Sequence, residues 1–413
     1  MTGPILPQRA AIIRALKPPR PTTRDLVAGI SVALILIPQS LAYAEIAGVP
    51  SYVGLYAAAL PPIAAAVIAS SPYLQTGPVA MTGLLTFGVL STIETPGTAH
   101  YVALAALLAL IVGAVRIALG VLRTGVVAYF MSQPVLLGFT SGAAILISAS
   151  QLPGFSGTTP PDGGLLYRAA WVLIHPGDWD PTALLISVAT VAIVVGGRRM
   201  SPLFPGVLVA VVGGLAYSTA AGYAGPVIGN IPTGFPPFSV GLPWSEAGGL
   251  LIGGVVIALV GFAEPAAIAR TFAAQDRTTW SPDQEFISQG LANIASGLSG
   301  GFPVGGSFAR SSVAKLAGGR TRWSGAVAGL AVLSFLPFAG ILTDLPTAVL
   351  GAIVIAAVAR LIRLDQIVRI WQFSKPQAAV AGVTFGATLV LSPRIDIAVL
   401  LGIYLLIRRL VAR

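Results

Sequence analysis

Residues 72–80, PYLQTGPVA, and residues 302–310, FPVGGSFAR, decide how this chain is read. Both place proline and glycine where no helix runs through unbroken. Beyond each, a helical pattern resumes only briefly, over 78–91 and 307–317. A short extended piece (73–76; 302–305) therefore leads into a helix that begins near Pro78 or Ser307 and is too short to cross a bilayer. Irregular backbone at membrane depth is tolerated only where protein or a water-filled cavity satisfies its polar groups. Two such helices with facing N-termini would turn free N–H groups and positive dipole ends toward one point, which suits an anion. A pair of ordinary proline kinks is the plainer alternative. Recurrence at matching places in the two halves favours a transporter binding site.

The rest of the chain sets the class. Its 413 residues are 55% hydrophobic and 9% charged, with a mean hydropathy of +0.86. That is too little charge to wet a soluble domain of this length. About fourteen helical segments are expected, the first seven at 25–47, 52–69, 78–91, 101–121, 133–150, 181–195 and 202–220. The second seven fall at 250–272, 283–298, 307–317, 323–341, 346–362, 377–391 and 395–410. The apolar character continues past the first run, so that run is not read as a cleavable signal peptide. Cysteine is absent and the two histidines, His100 and His175, sit in loop-like surroundings. Disulfides, thiolate metal sites, cysteine nucleophiles and a multi-histidine metal centre are excluded, and no cofactor is expected.

The formal charge of +10 could point to nucleic acid, but its distribution points to topology instead. Arg9, Arg14, Lys17, Arg20 and Arg24 precede the first span, and Arg408, Arg409 and Arg413 follow the last. Between them, Arg123, Arg198 with Arg199, Arg270 with Arg277, Arg320 with Arg322, and the group Arg360, Arg363, Arg369 and Lys375 fall at alternate helix ends. This is the positive-inside pattern of a multi-pass inner or plasma membrane protein with both termini cytoplasmic. Aromatic residues do not interleave with these basics, so no nucleic-acid partner is expected.

The two sets of seven are alike in layout. The third segment of each is the interrupted one, and the fifth is followed by an amphipathic stretch, 165–174 and 364–373, suited to the interface. An odd number of spans per repeat inverts one half relative to the other. Two residues stand out for chemistry. Glu264 lies mid-helix, where an ionised carboxylate costs on the order of 3 kcal/mol, so part-time protonation is the expectation. Arg310 lies one turn into the short second-half helix; attraction of an anion and pairing with Glu264 stand as equal readings. Glu45 reads as a boundary residue, and Arg116 as snorkelling to the interface. The glycines around Gly300–Gly306 lack the Gly-Lys-Ser/Thr of a phosphate loop. With no ATP-hydrolysing motif, transport must be passive or gradient-driven, and no enzyme activity is expected.

Several ordered motifs carry a resemblance to a family. Pro38-Gln39-Ser40-Leu41-Ala42-Tyr43-Ala44, Gly54-Leu55-Tyr56 and Gly77-Pro78-Val79-Ala80 resemble first-repeat signatures of the SulP anion transporters, the solute carrier 26 group. Asp283-Gln284-Glu285, Gly290-Leu291-Ala292-Asn293-Ile294 and the run from Gly301-Phe302-Pro303 to Gly306-Ser307-Phe308-Ala309-Arg310-Ser311 resemble the second repeat. The resemblance implies an all-α membrane protein of two inverted seven-segment repeats, divided into a core and a gate. By that division 25–121 and 250–341 are core, 122–221 and 342–413 gate, 1–24 a cytoplasmic lead and 222–249 the inter-repeat loop.

It further implies substrate between the half-helices, at Gln39, Tyr43, Thr76, Gly77, Gly306, Ser307, Phe308, Ala309 and Arg310, with Glu264 at the position credited with proton coupling. Ala309 departs from the serine of many members, which opens the question of substrate. The family usually continues into a STAS domain, whereas this sequence stops at Arg413, so that domain's share in forming a homodimer is not carried over. The implied function is proton-coupled symport of a small anion (sulfate, bicarbonate, chloride or dicarboxylate) by an elevator-like movement. An anion channel, an uncoupled exchanger and a non-transporting voltage-sensitive motor or scaffold are the alternatives, and a nucleobase transporter of related fold is disfavoured by Arg310.

Overall fold

The computed structural model describes residues 19–125, 133–201, 204–238 and 241–391. The segment expected over 395–410 lies outside the described residues, as do the terminal basic residues up to Lys17 and from Arg394 onward.

The first half forms α1 (Thr23–Ala47), α2 (Ser51–Ile68), the two-residue strand β1 (Thr76–Gly77), α3 (Ala80–Leu90) and α4 (Ala99–Val121). It continues with α5 (Gln133–Ser156), α6 (Leu165–Ile174), α7 (Pro181–Met200) and α8 (Gly206–Ala221). The second half forms α9 (Ala247–Asp276), α10 (Pro282–Leu298), the strand β2 (Gly305–Gly306), α11 (Phe308–Leu316) and α12 (Trp323–Phe335). Then follow α13 (Thr347–Val358), α14 (Leu364–Phe373) and α15 (Lys375–Val390). Seven stretches among the described residues are long and apolar enough to cross a membrane. By contrast α3 has 11 residues and α11 has 9, so both are half-spans.

Local chemistry explains the helix ends. Thr22 and Asp25 form a capping box at the start of α1, and Gly48 closes that helix in the left-handed conformation. Asp25 also accepts from the Arg320 and Thr321 backbone N–H groups, each at 2.8 Å, which ties α1 to the segment entering α12. Ser281 caps α10 ahead of Pro282, and Ser307 caps α11. One boundary falls short of expectation: α12 tightens into a 3-10 turn over Leu336–Leu342, because Pro337 cannot donate the next helical bond.

Packing separates the helices into two groups. In the first, α4 lies along α10 and α9, α2 lies along α12 and α10, and α1 along α12 and α2. Exchanging the repeats converts the α4–α10 pair into the α12–α2 pair, which is the internal symmetry expected of an inverted duplication. Both pairs rest on glycine. A β-carbon at Gly290 would stand 2.9 Å from the Gly113 carbonyl oxygen, and one at Gly329 would stand 2.5 Å from that of Ala59. Between apolar helices, small residues supply the van der Waals contact that holds the backbones together. In the second group α5 packs on α13 and α15, and α7 on α13 and α8. Fewer contacts join the groups, chiefly α1 with α13 and α8, and α3 with α5. The 222–249 connection is fastened to the second group, where Ile228 and Gly229 donate to Leu345 and Thr343.

Candidate functional site

The two breaks meet. β1 and β2 pair antiparallel, Thr76 opposite Gly306 and Gly77 opposite Gly305, and this is a complete sheet of two strands. From it α3 and α11 depart; the Ser307 side chain caps α11, while Val79 holds the N-cap position of α3 without a side-chain bond. Facing helix starts collect unpaired N–H groups and the positive dipole ends in one place. The irregular backbone around the strands is satisfied by side chains, as membrane depth requires. Asn293 grips Val304 from both sides, donating to its carbonyl at 3.1 Å and accepting from its N–H at 3.0 Å. Gln289, one turn earlier on α10, donates to the Thr76 hydroxyl at 2.8 Å. The Gln75 backbone N–H donates to Ser311 at 2.9 Å, its carbonyl accepts from the Ser307 N–H at 3.0 Å, and its amide donates to Ser324 at 3.0 Å.

A cavity of about 560 Å³ opens beside this junction. Of the residues expected to bind substrate, Gln39, Tyr43, Ser307, Phe308 and Ala309 line it, and so does Glu264. Thr76, Gly77, Gly306 and Arg310 do not; all four are buried one layer behind the wall. Arg310 stays in reach of the site through Gln39, whose Oε1 accepts from its Nη1 at 3.4 Å. No ion pair joins Arg310 to Glu264. Instead the Glu264 carboxylate faces the Phe308 backbone N–H at the start of α11. Two long helices beside the cavity each carry an interior proline at the site, Pro38 next to Gln39 in α1 and Pro265 next to Glu264 in α9.

One reading of the sequence is corrected. Arg116 does not snorkel: it is fully buried, and its guanidinium donates to the carbonyls of Ala258 (3.1 Å), Val304 (3.0 Å) and Ile257 (3.3 Å). It points inward because three carbonyls, two on α9 and one just before β2, offer acceptors that the lipid boundary lacks. Glu45, expected as a boundary residue, stands in the last turn of α1, where it accepts from Ser51 at 2.9 Å and lines a second cavity with Arg168.

Sequence reasoning missed Gln75, Gln289 and Asn293 as the groups that hold the strands, although Gln289 and Asn293 stand at helical i, i+4 spacing on one face of α10. It also read Arg198, Arg360 and Arg363 only as topology signals, whereas all three line the cavity. Arg360 and Arg363 are exposed and mark its open end.

Comparison with known proteins agrees with this architecture. The sulfate permease family matches residues 23–384. A probable sulfate transporter of Mycobacterium tuberculosis (strain CDC 1551 / Oshkosh) is 34% identical over 401 residues, covering 93% of this chain and 70% of the relative. The chloroplastic sulfate transporter 4.1 of Arabidopsis thaliana is 32% identical over 390 residues, covering 92% of this chain and 57% of the relative. Among solved structures, SLC26A9 superposes with a TM-score of 0.87 at 21% identity over 97% of this chain and 69% of that one. The transmembrane domain of the cyanobacterial bicarbonate transporter BicA superposes with a TM-score of 0.79 at 24% identity, over 93% of this chain and 96% of that one. The fold is therefore that of these anion-transporter membrane domains, and by family match and sequence identity alike this chain belongs to the sulfate permease family.

Proposed function

We propose that this protein is a secondary active transporter of small oxyanions, sulfate first among them, which takes up its substrate together with a proton. The observation that carries the reading is the convergence of the α3 and α11 N-termini on a cavity that also holds Gln39, Tyr43 and Glu264, with Arg310 behind it. An anion placed there meets helix N–H groups and positive dipole ends, and the charge of Arg310 is felt through a short path of low dielectric. The names of the relatives, sulfate transporters in the plant and mycobacterial cases, support the choice of substrate.

Glu264 is the coupling group in this reading. It is the carboxylate on the cavity wall, and its protonation removes a negative charge beside the arriving anion. Proton and anion then each favour the other's binding, which is symport. The first group of helices is the core that carries the site and the second is the gate. Their sparser mutual contacts suit a sliding of one against the other, with the exposed arginines Arg360 and Arg363 at the cytoplasmic mouth. Purified protein in liposomes, loaded with labelled sulfate, bicarbonate, chloride or succinate and with or without an inward proton gradient, tests the reading. Saturable sulfate uptake raised by the gradient is the expected result. Flux that does not saturate would make the protein a channel, and gradient-independent uptake would make it an uncoupled exchanger.

A further inference from the structure

A second buried arginine lies beneath the same junction. Arg116 projects from α4, a helix that contributes nothing to the cavity wall, and is fully buried. Its three bonds go to carbonyl oxygens alone, those of Ile257 and Ala258 on α9 and of Val304 just before β2. No carboxylate pairs with it. Carbonyl dipoles orient the guanidinium without cancelling its unit charge, so the charge acts on what surrounds it.

What surrounds it is the floor of the site. The Arg116 Nη2 lies 2.8 Å from where a β-carbon of Gly261 would stand, one turn before Glu264 on α9. The Thr82 methyl lies 3.2 Å from that same point and 3.4 Å from the corresponding point on Gly305. Thr82 belongs to the first turn of α3, next to Val79 and Ala80 on the cavity wall. Arg116 and Arg310 thus both stand off the cavity wall near the β1–β2 junction, and neither forms an ion pair with an acid.

We infer that Arg116 is a specificity-determining residue whose buried unit charge, with that of Arg310, favours a divalent oxyanion over a monovalent one. The inference rests on the anion-transport reading above and deepens it. With Glu264 protonated, no ionised acid lines the cavity, and the buried charges of Arg116 and Arg310 behind it add to those of Arg198, Arg360 and Arg363 on its wall. A dianion gains twice what a monoanion gains from each of them, so removing one cation penalises the dianion selectively. At an effective dielectric near 20, loss of one such charge a short way behind the wall changes the preference roughly tenfold. Arg116 acts without touching the anion, so it is a positioning and charge-supplying residue.

The test compares uptake of labelled sulfate and of labelled chloride in proteoliposomes for the parent, Arg116→Gln and Arg116→Lys. Gln keeps a donor at the position of Nε, which bonds the Ala258 carbonyl, but no charge; Lys keeps the charge. The sulfate-to-chloride ratio of kcat/KM is expected to fall roughly tenfold in Arg116→Gln, mainly through the sulfate KM, and to stay near the parent value in Arg116→Lys. A ratio unchanged in Arg116→Gln, or lowered as much in Arg116→Lys, overturns the inference. Should Arg116→Gln fail to purify as folded protein, the lysine variant decides alone, because a charge role requires it to keep the parent's ratio. A parent that takes up neither anion refutes the transport reading instead, and a parent that prefers chloride refutes the dianion match while leaving transport standing.

Discussion

Arg310 spends one N–H on the Gln39 side-chain oxygen, 3.4 Å away, and leaves Nε and Nη2 without a protein acceptor although the residue is fully buried. Unsatisfied buried donors on a charged group are costly, and a protein keeps them where something else completes them. The Gly77 backbone stands close by, since a β-carbon there would lie 3.4 Å from Nη2. The guanidinium therefore spans from α1 to the β1 strand, joining the helix that carries Gln39 and Tyr43 to the strand junction.

Replacement of Arg310 by alanine is expected to raise the sulfate KM by at least tenfold, since removing a unit charge about 10 Å from an anion costs about 1.5 kcal/mol per anionic charge at an effective dielectric near 20. Because Glu264 is not its ion-pair partner, the double variant Arg310→Ala with Glu264→Gln should not recover uptake or expression. Transport assays and thermal unfolding of the purified single and double variants check this. Recovery in the double variant would show that the two residues form a structural pair.

Gly77 offers a sharper test of the junction. Its φ of +148° is a conformation that side chains rarely adopt, and a β-carbon would press on Leu36 at 3.3 Å and on the Arg310 Nη2 at 3.4 Å. Gly77→Ala should destabilise the protein by about 1–3 kcal/mol through backbone strain, and it should weaken sulfate uptake further by displacing the guanidinium. A fall in the unfolding midpoint accompanied by a raised KM is the expected pair of results. Unchanged values of both would mean that the β1–β2 geometry is not what holds Arg310.

Much of this site was legible in the sequence because its strongest signals are local. Proline and glycine at 72–78 and 302–306 break the helices whatever the rest of the chain does. The helix start near Ser307 follows from that break, and Glu264 stands out against an apolar run. What stayed hidden depends on contacts between distant segments. Arg116 looks like any basic residue near a helix end until the fold brings Ile257, Ala258 and Val304 to it from more than a hundred residues away. Asn293 gripping Val304, and Gln75 joining Ser307, Ser311 and Ser324, are of the same kind. Nor does spacing along a chain tell that Arg310 lies behind the cavity wall while Ala309 lies on it; that difference is one of helix rotation.

The arginines at the open end should act through the field of the cavity mouth. Arg360 and Arg363 are exposed there and Arg198 lies nearby on the wall. Exposed charges steer an anion toward a cleft, and salt screens them over roughly 8–10 Å at ordinary ionic strength. The double variant Arg360→Gln with Arg363→Gln should therefore take up sulfate several-fold more slowly at low ionic strength, and the deficit should shrink as salt is added. Initial rates measured across a salt series in protein of known orientation give the answer. A deficit that persists at high salt would place these residues in direct contact with the anion.

The coupling role proposed for Glu264 admits a decisive experiment. Its carboxylate shares the cavity wall with Gln39 and Ser307 and faces the Phe308 backbone N–H, one of the donors an anion would use. While ionised, it repels the substrate and competes for that donor; once protonated, it does neither. A unit charge about 5 Å from the anion is worth about 3 kcal/mol at an effective dielectric near 20, more than a hundredfold in affinity. Glu264→Gln imitates the protonated form at every pH. It should bind sulfate at least as well as the parent, exchange sulfate across the membrane, and show no stimulation by an inward proton gradient. Counterflow and gradient-driven uptake, measured on the same vesicles, separate these outcomes. If the glutamine variant still accumulates sulfate in proportion to the gradient, the coupled proton travels elsewhere, with Glu45 in the second cavity next to be tested.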